Sequence, residues 1–214
     1  MMENPSDRAY RTLCALSGAA GVVMLFASFA LNPSPPPASS EELVRWGQQH
    51  YAHGLWGAWL QATGPVLIML FAFALVHIAG AAQRLEGWMT FFGGTVLMTV
   101  SLIEITFYLA AWNPDPVIMP LISLKFIAAT QHLYFMVAAP ALFLPLGIVL
   151  IKSGILPRAF GYLAILLAAV FAALGAAFML RLALPGPVTA FAGLQALWWL
   201  AASLALMIRK PDAG

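Results

Sequence analysis

The residue that makes the strongest chemical demand in this chain is a glutamate inside an apolar segment. Glu104 lies within Trp88 to Trp112, WMTFFGGTVLMTVSLIEITFYLAAW, a stretch long enough to cross a bilayer. A charged side chain in hydrocarbon costs about 2.5 kcal/mol or more, so an intramembrane carboxyl is by default a functional candidate. Counting inward from Trp112 at 1.5 Å per residue places Glu104 roughly 12 Å below one interface. His132, counted from Pro120, lies roughly 18 Å below the same interface, and Lys125 roughly 8 Å. Gln61, Gln131 and Gln195 fall in that same half of their apolar segments. A carboxyl and an imidazole brought together suit proton-transfer chemistry such as isomerisation or cyclisation. Aromatic faces nearby stabilise a developing cation. Glu104 and His132 are therefore the expected catalytic pair, with Gln61, Tyr108, Lys125, Gln131, Gln195, Trp198 and Trp199 expected to line a ligand site.

Helical spacing groups these residues into stripes. Gly93, Leu97, Ser101, Glu104 and Tyr108 share one face. Lys125, Ala128, Ala129, His132 and Met136 share a face of the next segment, and a short turn makes the two segments antiparallel neighbours. Glu104 is thus expected to meet Lys125 or His132. His53, Gly57, Gln61 and Gly64 form a small-and-polar stripe, the pattern of close helix contact in a membrane.

Each residue also has a structural reading. Glu104 paired with Lys125 fixes helix register, Lys125 snorkels to the interface, and His132 with Gln131 forms interhelical glue, as do Gln61 and Gln195. Trp56, Trp59, Trp88 and Trp112 fit an aromatic belt, whereas Trp198 and Trp199 sit too deep for one. His50-x-x-His53 puts two imidazoles on adjacent turns, the weak beginning of a metal site that needs a third ligand. No histidine has a partner at matched depth for haem, and no nucleotide or hydrolase fingerprint is present. No cofactor or metal is expected.

The elements that must position these groups follow from composition. The 214 residues are 62% hydrophobic and only 8% charged, with a mean hydropathy of +0.89, which specifies a membrane protein. The single cysteine excludes a disulfide framework, and without a basic run no nucleic acid is expected as partner. The partners expected are the bilayer and a lipophilic small molecule. The fold class expected is all-α, a bundle of six transmembrane helices. The spans are read as 12–31, 55–80, 88–112, 121–151, 159–181 and 188–208, within a single membrane domain 11–210 flanked by a leader 1–10 and a tail 211–214. Ser28-Phe29-Ala30 has the form of a signal-peptidase site, but the apolar run is long for one and is read as a retained span.

Between the first two spans the segment 32–54 begins NPSPPPASS, which cannot be helical. Ser39 with Glu42 then forms a capping box, and 40–53 is expected to be an amphipathic interfacial helix feeding the second span at Gly54 or Gly57. Gly64-Pro65 is expected to kink the second span, and Pro65, Pro140 and Pro145 would be hinges in a transporter. Arg8, Arg11, Arg84, Lys152, Arg158, Arg209 and Lys210 fall on one side, against Arg45, Arg181 and Lys125 on the other. The positive-inside rule puts both termini in the cytoplasm of a cell bounded by this inner membrane.

The Pro-rich outer loop, the amphipathic re-entry helix and the loop KSGILPRAFGYL resemble, in layout over most of the chain, six-span bacterial integral membrane proteins of uncharacterised function. The resemblance implies six spans and supplies no catalytic residue. Three functions fit the residues: a membrane-embedded enzyme or binder for a lipophilic molecule, a small proton-coupled transporter, and a structural or regulatory subunit. The absence of an internal repeat counts against the transporter.

Overall fold

The computed structural model describes residues 5–31, 40–111, 118–180 and 185–209. The Pro-rich run 32–39 with Ser39 of the capping box, the turn 113–116 and the tail 211–214 lie outside the described residues. Every described element is helical: α1 (Pro5–Leu31), α2 (Ser40–Ile78), α3 (Leu85–Ala111), α4 (Ile118–Leu133), a π-helical turn (Tyr134–Ala138), α5 (Ala139–Ser153), α6 (Arg158–Met179) and α7 (Pro185–Ile208). α4, the π turn and α5 run on as one rod, so six helices are long and apolar enough to cross a membrane.

The six pack as a ring. α1 touches α2 and α7, α2 touches α3, α3 touches both α4 and α5, and α6 sits between α5 and α7. The Arg11 side chain donates to the Arg209 carbonyl at 3.0 Å, which fastens the start of α1 to the end of α7. At that same end Lys152 Nζ meets Glu86 Oε1 at 3.1 Å and ties α5 to α3. Glycine lets the backbones close. A Cβ on Gly21 would lie 2.6 Å from the Gly64 carbonyl oxygen, and one on Gly161 would lie 2.7 Å from that of Gly147, so α1–α2 and α5–α6 are sealed by small residues.

One core fills the half of the ring nearest this end. It is drawn from Ile68–Val76, Ala138–Leu150, Ala164–Leu174 and Trp198–Leu206, with Phe71, Phe143, Phe171 and Trp199 essentially fully buried. Phe143 is its hub, with ring centroids 5.3 Å from Trp199, 5.4 Å from Trp198 and 6.2 Å from Phe171.

The prolines shape the rod. Pro140 has no N–H to give the Met136 carbonyl, and just before it the rod opens into the π turn, with the Ala139 N–H reaching back to Tyr134 O. α2 differs from the reading of its sequence. Residues 40–53 are helical, but the helix does not break at Gly54 or Gly57; it continues through Pro65 as one helix of 39 residues. Both glycines are buried, so they serve packing rather than a turn. At 1.5 Å per residue such a helix is roughly 58 Å long, about twice the hydrocarbon thickness, and its first turns must project beyond it.

Candidate functional site

Glu104 stands on the inward stripe of α3. Gly93, Leu97 and Val100 on that side are buried, whereas Ser101, Glu104 and Tyr108 further along are only half-buried. The same change occurs on the neighbouring α4. Phe135 belongs to the core, but Gln131 and Ala128, one and two turns along the same face, are exposed. The stripes of α3 and α4 are therefore accessible beyond Val100 and Phe135, although Ser123, Ile127 and Thr130 on α4 stay buried there, and Glu104 borders this accessible recess.

Two interhelical hydrogen bonds cross this level. Gln131 Nε2 donates to Glu104 Oε1 at 3.0 Å, joining α4 to α3. Three residues on, the Tyr134 hydroxyl donates to Gln195 Oε1 at 2.6 Å, joining the π turn to α7. The Tyr134 ring packs edge-on against Phe135 and Phe171, with centroids 5.4 and 6.1 Å away. Tyr108 lies one turn beyond Glu104 on the same stripe of α3. The recess thus carries one carboxyl, two carboxamides and two phenols, drawn from α3, α4, the π turn and α7. Such a set can hydrogen-bond a hydroxyl, carbonyl or amine on an otherwise apolar molecule and can exchange a proton with it through Glu104.

The expected partners of Glu104 are not the observed one. Lys125 is exposed, and His132 is exposed with its ring stacked on Phe178 of α6, centroids 4.6 Å apart. Consecutive helical residues differ by about 100° in direction, so Gln131 faces α3 while His132 faces α6. Met136, on the stripe of His132, confirms the direction: its Cα would lie 2.7 Å from a Cβ on Gly175 of α6. Gln195 is bound to Tyr134 rather than to Glu104. Trp198 and Trp199 belong to the core beneath; the Trp198 indole donates to the Phe160 carbonyl at 3.1 Å. Gln61 on α2 has its Oε1 buried and unpaired among the described residues.

His50 and His53 gain no third ligand. His50 Nδ1 lies 2.9 Å from the Trp46 carbonyl of its own helix, His53 is exposed, and among the described residues no three His, Cys, Asp or Glu side chains come together. Sequence reasoning missed Tyr134. The signal available was its spacing, one turn beyond Gln131 and just before the proline-bent part of the rod.

Comparison of the chain with protein-family models, with curated proteins and with solved structures gave no match.

Proposed function

We propose that this is a plasma-membrane protein of bacterial type that binds a lipophilic small molecule in the outer half of its helical bundle, with Glu104 engaging the molecule's polar group. One observation carries the reading: an ionisable side chain on the inward stripe of an apolar span is half-buried and held by the exposed Gln131 of the neighbouring helix. The excess of basic residues at the end holding both termini supports a cytoplasmic location for them, which places the recess in the outer half. Residues 40–53, the projecting turns of α2, then lie at the outer surface, where Trp56 and Trp59 anchor the helix at the interface. The reading stops at binding with proton exchange, because the imidazole that an isomerase or cyclase pair needs is turned towards α6.

The test is capture of a long-chain alcohol carrying a diazirine beside its hydroxyl, in proteoliposomes, with adducts mapped by peptide. Adducts are expected on 98–111 and 122–136 in the native protein and are expected to be lost in Glu104→Leu. Equal labelling of both proteins on these peptides would overturn the proposal. A second reading, a structural or regulatory subunit, is favoured by the Tyr134–Gln195 bond, which joins two neutral groups between helices as packing glue does.

A further inference from the structure

The seams of the ring are not closed alike. α1–α2 and α5–α6 are sealed by glycines, whereas α6 and α7 touch sparsely, and a Cβ on Gly193 of α7 would meet nothing within 4 Å. A furrow of about 280 Å³ lies between these two helices. Its lips are the exposed Leu163 and Leu166 on α6 and Leu194 and Leu197 on α7, and its floor is Leu167 and Trp198. Every lining residue is apolar or aromatic. The one polar atom among their side chains, Trp198 Nε1, is already given to the Phe160 carbonyl.

The dimensions select an occupant. The lining runs from Phe160 to Val170 on α6 and from Phe191 to Ala201 on α7, ten residue steps on each helix. That is roughly 15 Å along the helix axes, which is half the roughly 30 Å hydrocarbon thickness of a bilayer. A furrow parallel to the spans, one leaflet long, opening sideways on exposed leucines and offering no hydrogen bond fits an extended hydrocarbon chain and no polar molecule. We infer that the α6–α7 furrow holds one acyl chain of a bilayer phospholipid, from the leaflet on the Arg158 side where α6 begins. This site is separate from the Glu104 recess and does not depend on the function proposed for it. The chain completes the wall where α6 and α7 touch only sparsely.

The test uses proteoliposomes of phosphatidylethanolamine and phosphatidylglycerol that include a phospholipid with a diazirine midway along one acyl chain. Adducts are expected to concentrate on Leu163–Val170 and Leu194–Ala201. In Ala201→Trp, which fills the furrow, labelling there is expected to fall by about tenfold. Leu166→Trp fills it from the exposed lip of α6 and is expected to do the same if Ala201→Trp fails to fold. Leu102→Trp, an equally bulky change on the exposed face of α3, is expected to leave the pattern intact. Labelling spread evenly over the exposed faces of all the helices would overturn the inference. So would labelling of the furrow that survives both filling substitutions, or adducts replaced by cross-links between two copies of the chain.

Discussion

Two hydrogen-bonded pairs sit three residues apart on the same rod, and they differ in what they spend. Tyr134–Gln195 joins two neutral groups above an aromatic floor. Glu104–Gln131 joins an amide to a carboxyl where Gln131 is exposed and Glu104 only half-buried. Interhelical hydrogen bonds in membranes contribute only about 0.6 kcal/mol on average, so neither pair is needed for large stability. A glutamine at 104 would make the same contact without the cost of an ionisable group, which is about 2.5 kcal/mol or more near a helix centre. The neutral pair is thus explained by helix packing. The pair with the carboxyl is not, and this difference separates glue from candidate site.

The comparison depends on the rod being where it is, so the largest effect is expected from Gly175→Val. A Cβ there would stand 2.7 Å from Met136 Cα in the π turn. Backbone cannot yield as a side-chain tip can, so α4 and the π turn must move off α6, carrying Gln131 and Tyr134 with them. Overpacking of this kind costs about 3 kcal/mol, and both cross-helix pairs are expected to break together. Thermal melting in detergent and the yield of folded protein report it. Native stability in Gly175→Val would show that the contact is not tight.

Glu104→Gln comes next and bears on function alone. The side chain keeps its shape and its bond to Gln131 but loses the carboxylate, which accepts a hydrogen bond from a hydroxyl roughly twice as strongly as a neutral amide does. Capture of the long-chain alcohol probe is expected to drop by about tenfold, with melting unchanged or slightly raised. If melting falls and capture is kept, Glu104 is a structural group and the contrast between the pairs collapses.

Much of this arrangement was legible beforehand. Six apolar runs punctuated by proline, tryptophan and arginine gave the spans, because the bilayer fixes their length. The stripe Gly93, Leu97, Ser101, Glu104 was readable too, since helical periodicity alone puts these side chains on one face. Periodicity does not say which neighbour each stripe meets. Lys125 and His132 drew attention by residue type, yet the partner of Glu104 is Gln131, about 100° around the helix from His132. That angle is set by where α3 and α6 pack, and packing is a property of the ring. Tyr134 was hidden for a related reason. A tyrosine inside a span reads as core or belt until Gln195, 61 residues away, is seen across from it. Gly54 and Gly57 looked like a break in α2, but glycine is tolerated inside membrane helices where a neighbour packs closely.

Tyr134→Phe is expected to have a smaller effect of one kind only. It removes the hydroxyl and leaves Gln195 Oε1 without its donor, while the ring keeps its contacts with Phe135 and Phe171. The loss is expected to be about 1 kcal/mol, a few degrees in melting temperature. Capture of the alcohol probe should be unchanged. A loss of capture at native stability would move Tyr134 from packing into the site and join the two pairs into one functional network.

The smallest effect is expected where the residue types suggested the largest. His132→Phe deletes both ring nitrogens and preserves a flat ring to stack on Phe178, now 4.6 Å from the imidazole. Aromatic pairs contribute about 0.5–1.5 kcal/mol beyond the area they bury, and phenylalanine retains that term. Stability should therefore change by less than about 0.5 kcal/mol, the range of ordinary exposed substitutions. Capture and its dependence on Glu104 should be native as well, because nothing the histidine donates or accepts reaches α3. A marked loss of capture in His132→Phe, with melting unchanged, would mean that the imidazole turns inward when ligand binds. Glu104 and His132 would then be the acid–base pair that their residue types suggest, and the binding reading would become an enzymatic one.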